Sequence, residues 1–124
     1  MRRLLRRSER GSGSMLMVGI MMVVLALSMT AICIAGYLLA AHRVRAAADL
    51  AALSGASAFA SGADACAAAR SNARANKAQV LSCQQMGDVM DFVVTVQAEV
   101  EVDLAVPGLP RELRATAYAG SGAG

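Results

Sequence analysis

Residues 15–41 form a run of 27 residues without a charge, and this run constrains the fold more than any other feature of the sequence. A helix of that length spans about 40 Å, whereas the hydrocarbon core of a bilayer is roughly 30 Å thick. Secretory signal peptides have a shorter apolar stretch, about 7–15 residues. The run therefore predicts a transmembrane helix. Release as a small secreted protein, by a signal peptidase cutting among the small residues near Ala41, stays an alternative.

The charges around this run predict its orientation. Five arginines and one glutamate lie within residues 1–10, whereas only Arg43 and Arg45 follow the run closely. Because short loops rich in arginine stay in the cytoplasm, we expect a single-pass protein of the cell membrane with a cytoplasmic N-terminus and an extracytoplasmic C-terminus. The rest of the chain has seven basic and eight acidic residues. It offers no basic stripe, so we expect no nucleic-acid partner.

Composition divides the chain into five segments. Residues 1–14 are a basic leader, 15–41 the transmembrane helix, 42–61 an exposed helical extension, 62–119 a small exported α+β head and 120–124 a flexible Gly-rich tail. The apolar run places the protein in contact with membrane lipid.

The helical extension is unusually rich in alanine. Fifteen of the thirty residues from Ala46 to Ala75 are Ala. Such a helix buries little area alone and gains stability by close packing, and small residues spaced four apart let helices approach in a membrane. We therefore predict helix packing against a partner at Ala31, Ala35, Ala47 and Ala51.

The first half of the head carries signals for one helix and one strand. Asp64 is a good N-cap, and it predicts a helix over residues 65–75. Residues 80–83 are expected to form a short strand, followed by a turn over residues 84–88 around Gly87.

The second half of the head predicts a β-hairpin. From Val94 to Val106 apolar residues occupy every second position, and polar residues fill the positions between them up to Asp103, which is typical of a strand with one buried face. The segment 107–110 is a Pro/Gly turn, and alternation resumes over residues 112–118. Arg114 is expected to face the acidic row of the first strand, which consists of Glu99, Glu101 and Asp103.

Two of the three cysteines lie in the predicted head. Cys66 is near the start of the predicted helix, and Cys83 ends the strand that returns antiparallel to it. The helix advances about 15 Å and the strand returns about 20 Å, so the two thiols can meet. A Cys66–Cys83 disulfide is therefore predicted in an oxidising compartment. Cys33, inside the apolar run, is interpreted as a packing residue.

The residues that carry enzyme chemistry are scarce. The single histidine, His42, stands at the expected membrane edge, and no Cys/His metal spacing or phosphate-binding Gly loop is present. The acidic row fits a solvated strand face better than a metal site. We therefore expect no enzyme, no catalytic residue, no cofactor and no metal.

The layout resembles a known family. A basic leader ends in Arg10-Gly11-Ser12, a long uncharged helix follows, and residues 43–56 read RVRAAADLAALSGA. This resembles the TadE/TadG-like proteins of the Flp (Tad) pilus-assembly and secretion systems, in the short form with two downstream cysteines found in actinobacteria. The resemblance implies a pilin-like or minor pseudopilin role, with other pilin-like or Tad membrane proteins as partners.

The resemblance also raises leader processing by a prepilin peptidase, with Gly11 and Ser12 flanking the cut. Processed pilin leaders carry Glu at the fifth mature position, where this chain has Leu16. Processing is therefore kept open. A membrane-tethered exported binding module is the second alternative function; it would need an exposed apolar or aromatic patch, for which the sequence offers Phe92 and Tyr118.

Overall fold

A computed structural model of the chain describes residues 2–102 and 107–122, with side chains from residue 11 onward. The element order is α1 (Arg2–Ala60), α2 (Ala65–Ala75), β1 (Gln79–Gly87), β2 (Phe92–Glu101) and β3 (Glu112–Ser121). Residues 1–35 and residues 36–124 form two compact units. The α+β class is confirmed.

Helix α1 begins at Arg2, well before the predicted start at Met15, and it ends at Ala60, next to the predicted end. Residues 11–60 contain one stretch long and apolar enough to cross a membrane. Two hydroxyl groups of this stretch are satisfied within the helix, since Ser28 Oγ donates to the Val24 carbonyl and Thr30 Oγ1 to the Ala26 carbonyl, both at 2.8 Å. This back-bonding removes the cost of placing a free hydroxyl in lipid.

The second unit is a head in which helices cover one face of a three-stranded sheet. The strand order is β1-β2-β3 and both pairs are antiparallel, so the sheet has one strand more than the predicted hairpin. Ten of the thirteen residues in the core cluster are Ala, and the larger ones are Phe92, Val94 and Val96. Because alanine is small, the helix backbones lie close to the sheet.

Gly55 marks the closest approach in this core. A Cβ atom at this position would lie 3.0 Å from the Ala65 carbonyl oxygen and 3.1 Å from Val94 Cγ1. Further along α1, the rings of Phe59 and Phe92 meet edge to face with centroids 4.6 Å apart. The C-terminal part of α1 is thus an integral part of the head.

Both helices of the head end in the same hydrogen-bonded motif. At the end of α1, Gly62 N–H donates to the Phe59 carbonyl and Ala63 N–H to the Ala58 carbonyl. At the end of α2, Lys77 N–H donates to the Arg74 carbonyl and Ala78 N–H to the Ala73 carbonyl. These pairs define Schellman motifs, with left-handed φ angles of 83° at Gly62 and 56° at Lys77.

Helix α2 and its cap match the prediction. The helix spans Ala65–Ala75, and the Asp64 side chain accepts from the backbone N–H groups of Cys66 and Ala67. Ala65, Ala69 and Ala73 form its buried face, as their spacing of four residues requires.

Strand β1 differs from the prediction in length and in the position of its turn. It runs over Gln79–Gly87 rather than residues 80–83. The strand is longer because backbone pairing with β2 continues to Gly87 and does not depend on the type of side chain. The turn lies at residues 88–91, where the N–H groups of Asp88 and Asp91 donate to each other's carbonyl oxygens. Gly87 is required here, since its φ is 105° and a Cβ would collide with the Asp91 carbonyl.

Strands β2 and β3 form the predicted hairpin. The alternation places Phe92, Val94, Val96 and Ala98 in the core, and Glu99 pairs with Arg114 across the strands. Asp103, Leu104 and Val106 of the predicted strand lie outside the described residues. Strand β3 continues to Ser121, so the sheet takes in two residues expected in the tail, because Gly120 and Ser121 pair through their backbones with Val93 and Phe92.

Candidate functional site

The surfaces of the head and of helix α1 are the candidate functional features, because the described residues contain no group of three or more His, Cys, Asp or Glu side chains that could hold a metal ion. Glu99 of the acidic row accepts from Arg114 Nε at 2.7 Å. Its neighbour Glu101 is exposed, and Asp103 lies outside the described residues. Where it is described, the acidic row is a strand face with one salt bridge.

The disulfide is the predicted feature that joins the two halves of the head. Cys66 and Cys83 are bonded, with their Cα atoms 5.8 Å apart and a sequence separation of 17. Cys33 is free. The bond ties the first turn of α2 to the middle of β1, and this prediction is confirmed.

A β-bulge at Leu81 makes this disulfide possible. Val80 pairs with Ala98 and Ser82 with Gln97, so Leu81 has no partner. Residues three apart in a regular strand point to opposite faces. The extra residue brings Val80 and Cys83 onto the same face, where both pack against the core. The predicted disulfide rested only on the lengths of the helix and the strand between the two cysteines. The bulge was not predicted, because the sequence carries no clear signal for it.

The four alanines predicted to pack against a partner helix fall into two groups. Ala31 and Ala35 are exposed in the first unit. Ala47 and Ala51 are buried, at 3% and 0% exposure, in the core cluster of the head. This corrects the expected contact for the second pair. The face of α1 that bears Ala47 and Ala51 packs against the protein's own sheet and α2 and not against a partner helix. Small side chains are needed there because the elements of the head pack closely.

The opposite face of the extension carries exposed apolar residues that the sequence analysis did not single out. Leu50 and Leu53 are 46% and 59% exposed, and Ala46 and Ser57 are also exposed. These four residues are spaced by four, three and four positions, so they lie on one side of the helix. We call Ala46, Leu50, Leu53 and Ser57 the outer face of α1.

A second exposed apolar surface lies at the β1–β2 turn. Met86 and Val93 pair across the strands and point away from the core, Val89 and Met90 occupy the turn, and Tyr118 lies on the same side of β3. Met90 is 91% exposed and Tyr118 71%. We call Met86, Val89, Met90, Val93 and Tyr118 the hairpin patch. Phe92, the other aromatic candidate, is buried at 5% exposure and belongs to the core.

The remaining sequence candidates lie on helix α1. Gly11 and Ser12 are exposed and helical. His42 is exposed.

Comparison with known proteins locates the similarity on α1. Residues 11–58 match the family model described as Flp pilus-assembly TadE/G-like, which confirms the resemblance drawn from residues 10–56. The match covers the apolar run and most of the extension, and it stops just before α1 ends. No curated protein matches the chain. No solved structure matches it either.

Proposed function

We propose, from the premise that the chain is TadE/G-like over residues 11–58, that it is a pilin-like or minor pseudopilin component of a Flp (Tad) pilus-assembly or secretion machine. Its role is structural: α1 anchors it in the membrane, and the head meets other Tad membrane proteins. The structural character of the family supports a role without enzymatic activity.

The outer face of α1 is the observation that carries this proposal. It lies inside the matched residues, on a helix whose opposite face is already occupied by the head. Two leucines exposed on one side of a helix are suited to a second helix, because helices pack through rows spaced three and four apart. Ala31 and Ala35, in the first unit, are proposed separately as a helix contact within the apolar run.

Crosslinking tests this contact. In a Cys33→Ala background, Leu53→Cys is produced in cells together with the other Tad membrane proteins, and Ser71→Cys on the exposed side of α2 is the control. We expect oxidative or bifunctional crosslinking to trap a Tad partner from position 53 and much less from position 71. Equal trapping at both positions, or a monomer at both with the partners present, would contradict the proposal.

The proposed orientation has the N-terminus in the cytoplasm. The five leader arginines support it, and so does the Cys66–Cys83 disulfide, since such bonds persist outside the reducing cytosol. A membrane-impermeant maleimide is expected to label Ser71→Cys in intact cells and to label Ser12→Cys only after lysis. The reverse pattern would show the opposite orientation.

The same proposal leaves open whether a prepilin peptidase cuts the chain after Gly11. The exposed Gly11–Ser12 site favours it, while Leu16 in place of the expected Glu speaks against it. The mass of the protein purified from membranes decides: a chain beginning at Ser12 shows cleavage, and an intact leader excludes it.

The hairpin patch favours a second candidate function, a membrane-tethered binding module. Exposed apolar side chains grouped in this way often mark a protein contact. Two variants distinguish the two functions. The double substitution Val89→Gln with Met90→Gln is expected to reduce attachment or ligand capture while pili still assemble. Leu53→Gln is expected to reduce assembly itself. If the patch variant lost assembly as fully as Leu53→Gln, the binding-module function would lose its support.

A further inference from the structure

A cavity of about 500 Å³ opens in the head between the start of the extension, the end of α2 and the end of β2. It lies away from the hairpin patch and borders the outer face of α1, since Ala46 and Leu50 belong to both the cavity wall and that face. Its lining includes Arg43, Leu50, Asn76, Lys77, Val100 and Glu101.

The charges of the lining suit a small anion. Arg43 and Lys77 are cationic and Glu101 is anionic, so the cavity has an excess of one positive charge. The salt bridges found in the described part of the chain all belong to Arg114, so neither Arg43 nor Lys77 takes part in one of them. A phosphodiester has one negative charge and oxygens that accept charge-assisted hydrogen bonds from both cations.

The backbone at Lys77 indicates that its side chain has a role. Lys77 adopts a left-handed φ of 56°, whereas the equivalent position after α1 is Gly62. Side chains other than glycine are disfavoured in this region. A cation near the helix C-terminus is favourable, but Arg74 in the last turn already provides one. A lysine at position 77 therefore retains a charge at the cavity despite its conformational cost.

The position of Arg43 in the chain indicates where the anion comes from. Arg43 follows Ala41, the end of the uncharged run, by two residues, or about 3 Å of helix. Basic residues flanking a membrane span lie at the level of the lipid headgroups. A phosphate group is abundant at that depth.

We propose that this cavity binds the headgroup of an anionic phospholipid. Arg43 and Lys77 hold the phosphate, and the Glu101 carboxylate accepts from a headgroup hydroxyl. The inference rests on the membrane anchoring proposed above, and it adds a lipid site that assembly by itself does not require.

Lipid retention by the full chain tests the site. The protein is purified in detergent, mixed with equal amounts of phosphatidylglycerol and phosphatidylcholine, and analysed by native mass spectrometry. We expect preferential retention of phosphatidylglycerol, and a loss of about five-fold for Arg43→Gln or Lys77→Gly, each of which removes one cation. Arg45→Gln is the matched control: it removes the same charge two residues away and does not line the cavity.

Three results would overturn the proposal. An equal loss with Arg45→Gln would show attraction to general surface charge, and unchanged retention with Arg43→Gln and Lys77→Gly would show that the cavity is not used. Displacement of the lipid by excess inorganic phosphate would assign the site to free phosphate. Lys77→Gly removes the conformational strain at position 77 and is therefore expected to stabilise the head. A loss of lipid binding in this variant could not be explained by unfolding. Fractionation of the same variants into membranes reports separately on anchoring.

Discussion

Gly62 and Lys77 occupy the same structural position, the left-handed residue that follows a helix. Their hydrogen bonds are equivalent, and their φ angles of 83° and 56° both lie in the left-handed region. A Cβ at Gly62 would meet nothing within 4 Å, so the difference between the two sites is conformational rather than steric. They form a matched pair within one small head.

Exchanging the residue types at these positions should shift stability in opposite directions. Lys77→Gly is expected to stabilise the head by roughly 0.5–1 kcal/mol, and Gly62→Ala to destabilise it by about 1 kcal/mol, because only glycine adopts positive φ without strain. Thermal unfolding in detergent, followed by circular dichroism, measures both. Shifts of the same sign in the two variants would contradict this account.

Gly55 has the opposite character, because its environment is crowded and its backbone is helical. Gly55→Val places a branched side chain where the Ala65 carbonyl and Val94 already stand at 3.0 and 3.1 Å from the Cβ position. We expect a loss of about 1–3 kcal/mol from overpacking. Gly19→Val is the control, since its Cβ position is open. Unfolding in denaturant checks the prediction, and an unchanged midpoint for Gly55→Val would refute it.

At the level of secondary-structure elements, the disulfide stabilises a small, alanine-rich head. An alanine core buries little apolar area per residue, and small domains often depend on such a crosslink. The bond joins α2 to β1, two elements that also pack together directly. It restricts the unfolded chain over 17 residues.

Removing this crosslink should be costly. The double variant Cys66→Ser with Cys83→Ser, or reduction of the native protein, is expected to lower the free energy of unfolding by roughly 3 kcal/mol in the chain-entropy treatment of disulfides. Cys33→Ser is the control and should leave the head unchanged. A head with the same unfolding midpoint before and after reduction would show that the core alone suffices.

At the scale of the whole molecule, α1 serves two purposes with two faces. The face bearing Ala47 and Ala51 completes the core of the head, and the face bearing Leu50 and Leu53 is exposed. Under the proposed function, folding and assembly use different residues of one helix, and substitutions can separate them.

Substitutions on the two faces are expected to have different effects. Ala51→Leu is expected to destabilise the head by about 1–3 kcal/mol, because the core has no room for a larger side chain. Leu53→Gln should stay within about 0.5 kcal/mol of the native protein yet lose Tad-dependent pilus assembly. Thermal unfolding of the purified proteins and pilus counts in cells provide the two readouts. If Leu53→Gln unfolded the head as much as Ala51→Leu, the two faces would not be distinct.

Much of the fold follows from local signals. The Asp64 cap and the spacing of Ala65, Ala69 and Ala73 define α2, and strict alternation defines β2. These features could be predicted because the information lies in neighbouring residues. The length of β1 could not be predicted in this way, because its pairing depends on backbone hydrogen bonds with β2. The bulge at Leu81 could not be predicted either, because it lets Val80 and Cys83 both pack against the core while β1 stays paired with β2.

Local signals in the sequence specify the long uncharged helix, the short capped helix and the hairpin, because periodicity and capping act between neighbouring residues. The pairing of Cys66 with Cys83 follows from the lengths of the helix and strand that connect them. Which side of the extension is free depends instead on packing in three dimensions. An alanine face is compatible with any close neighbour, and here the neighbour is the protein's own sheet, which leaves Leu50 and Leu53 exposed. The cavity beside Lys77 likewise exists only because three distant segments meet there.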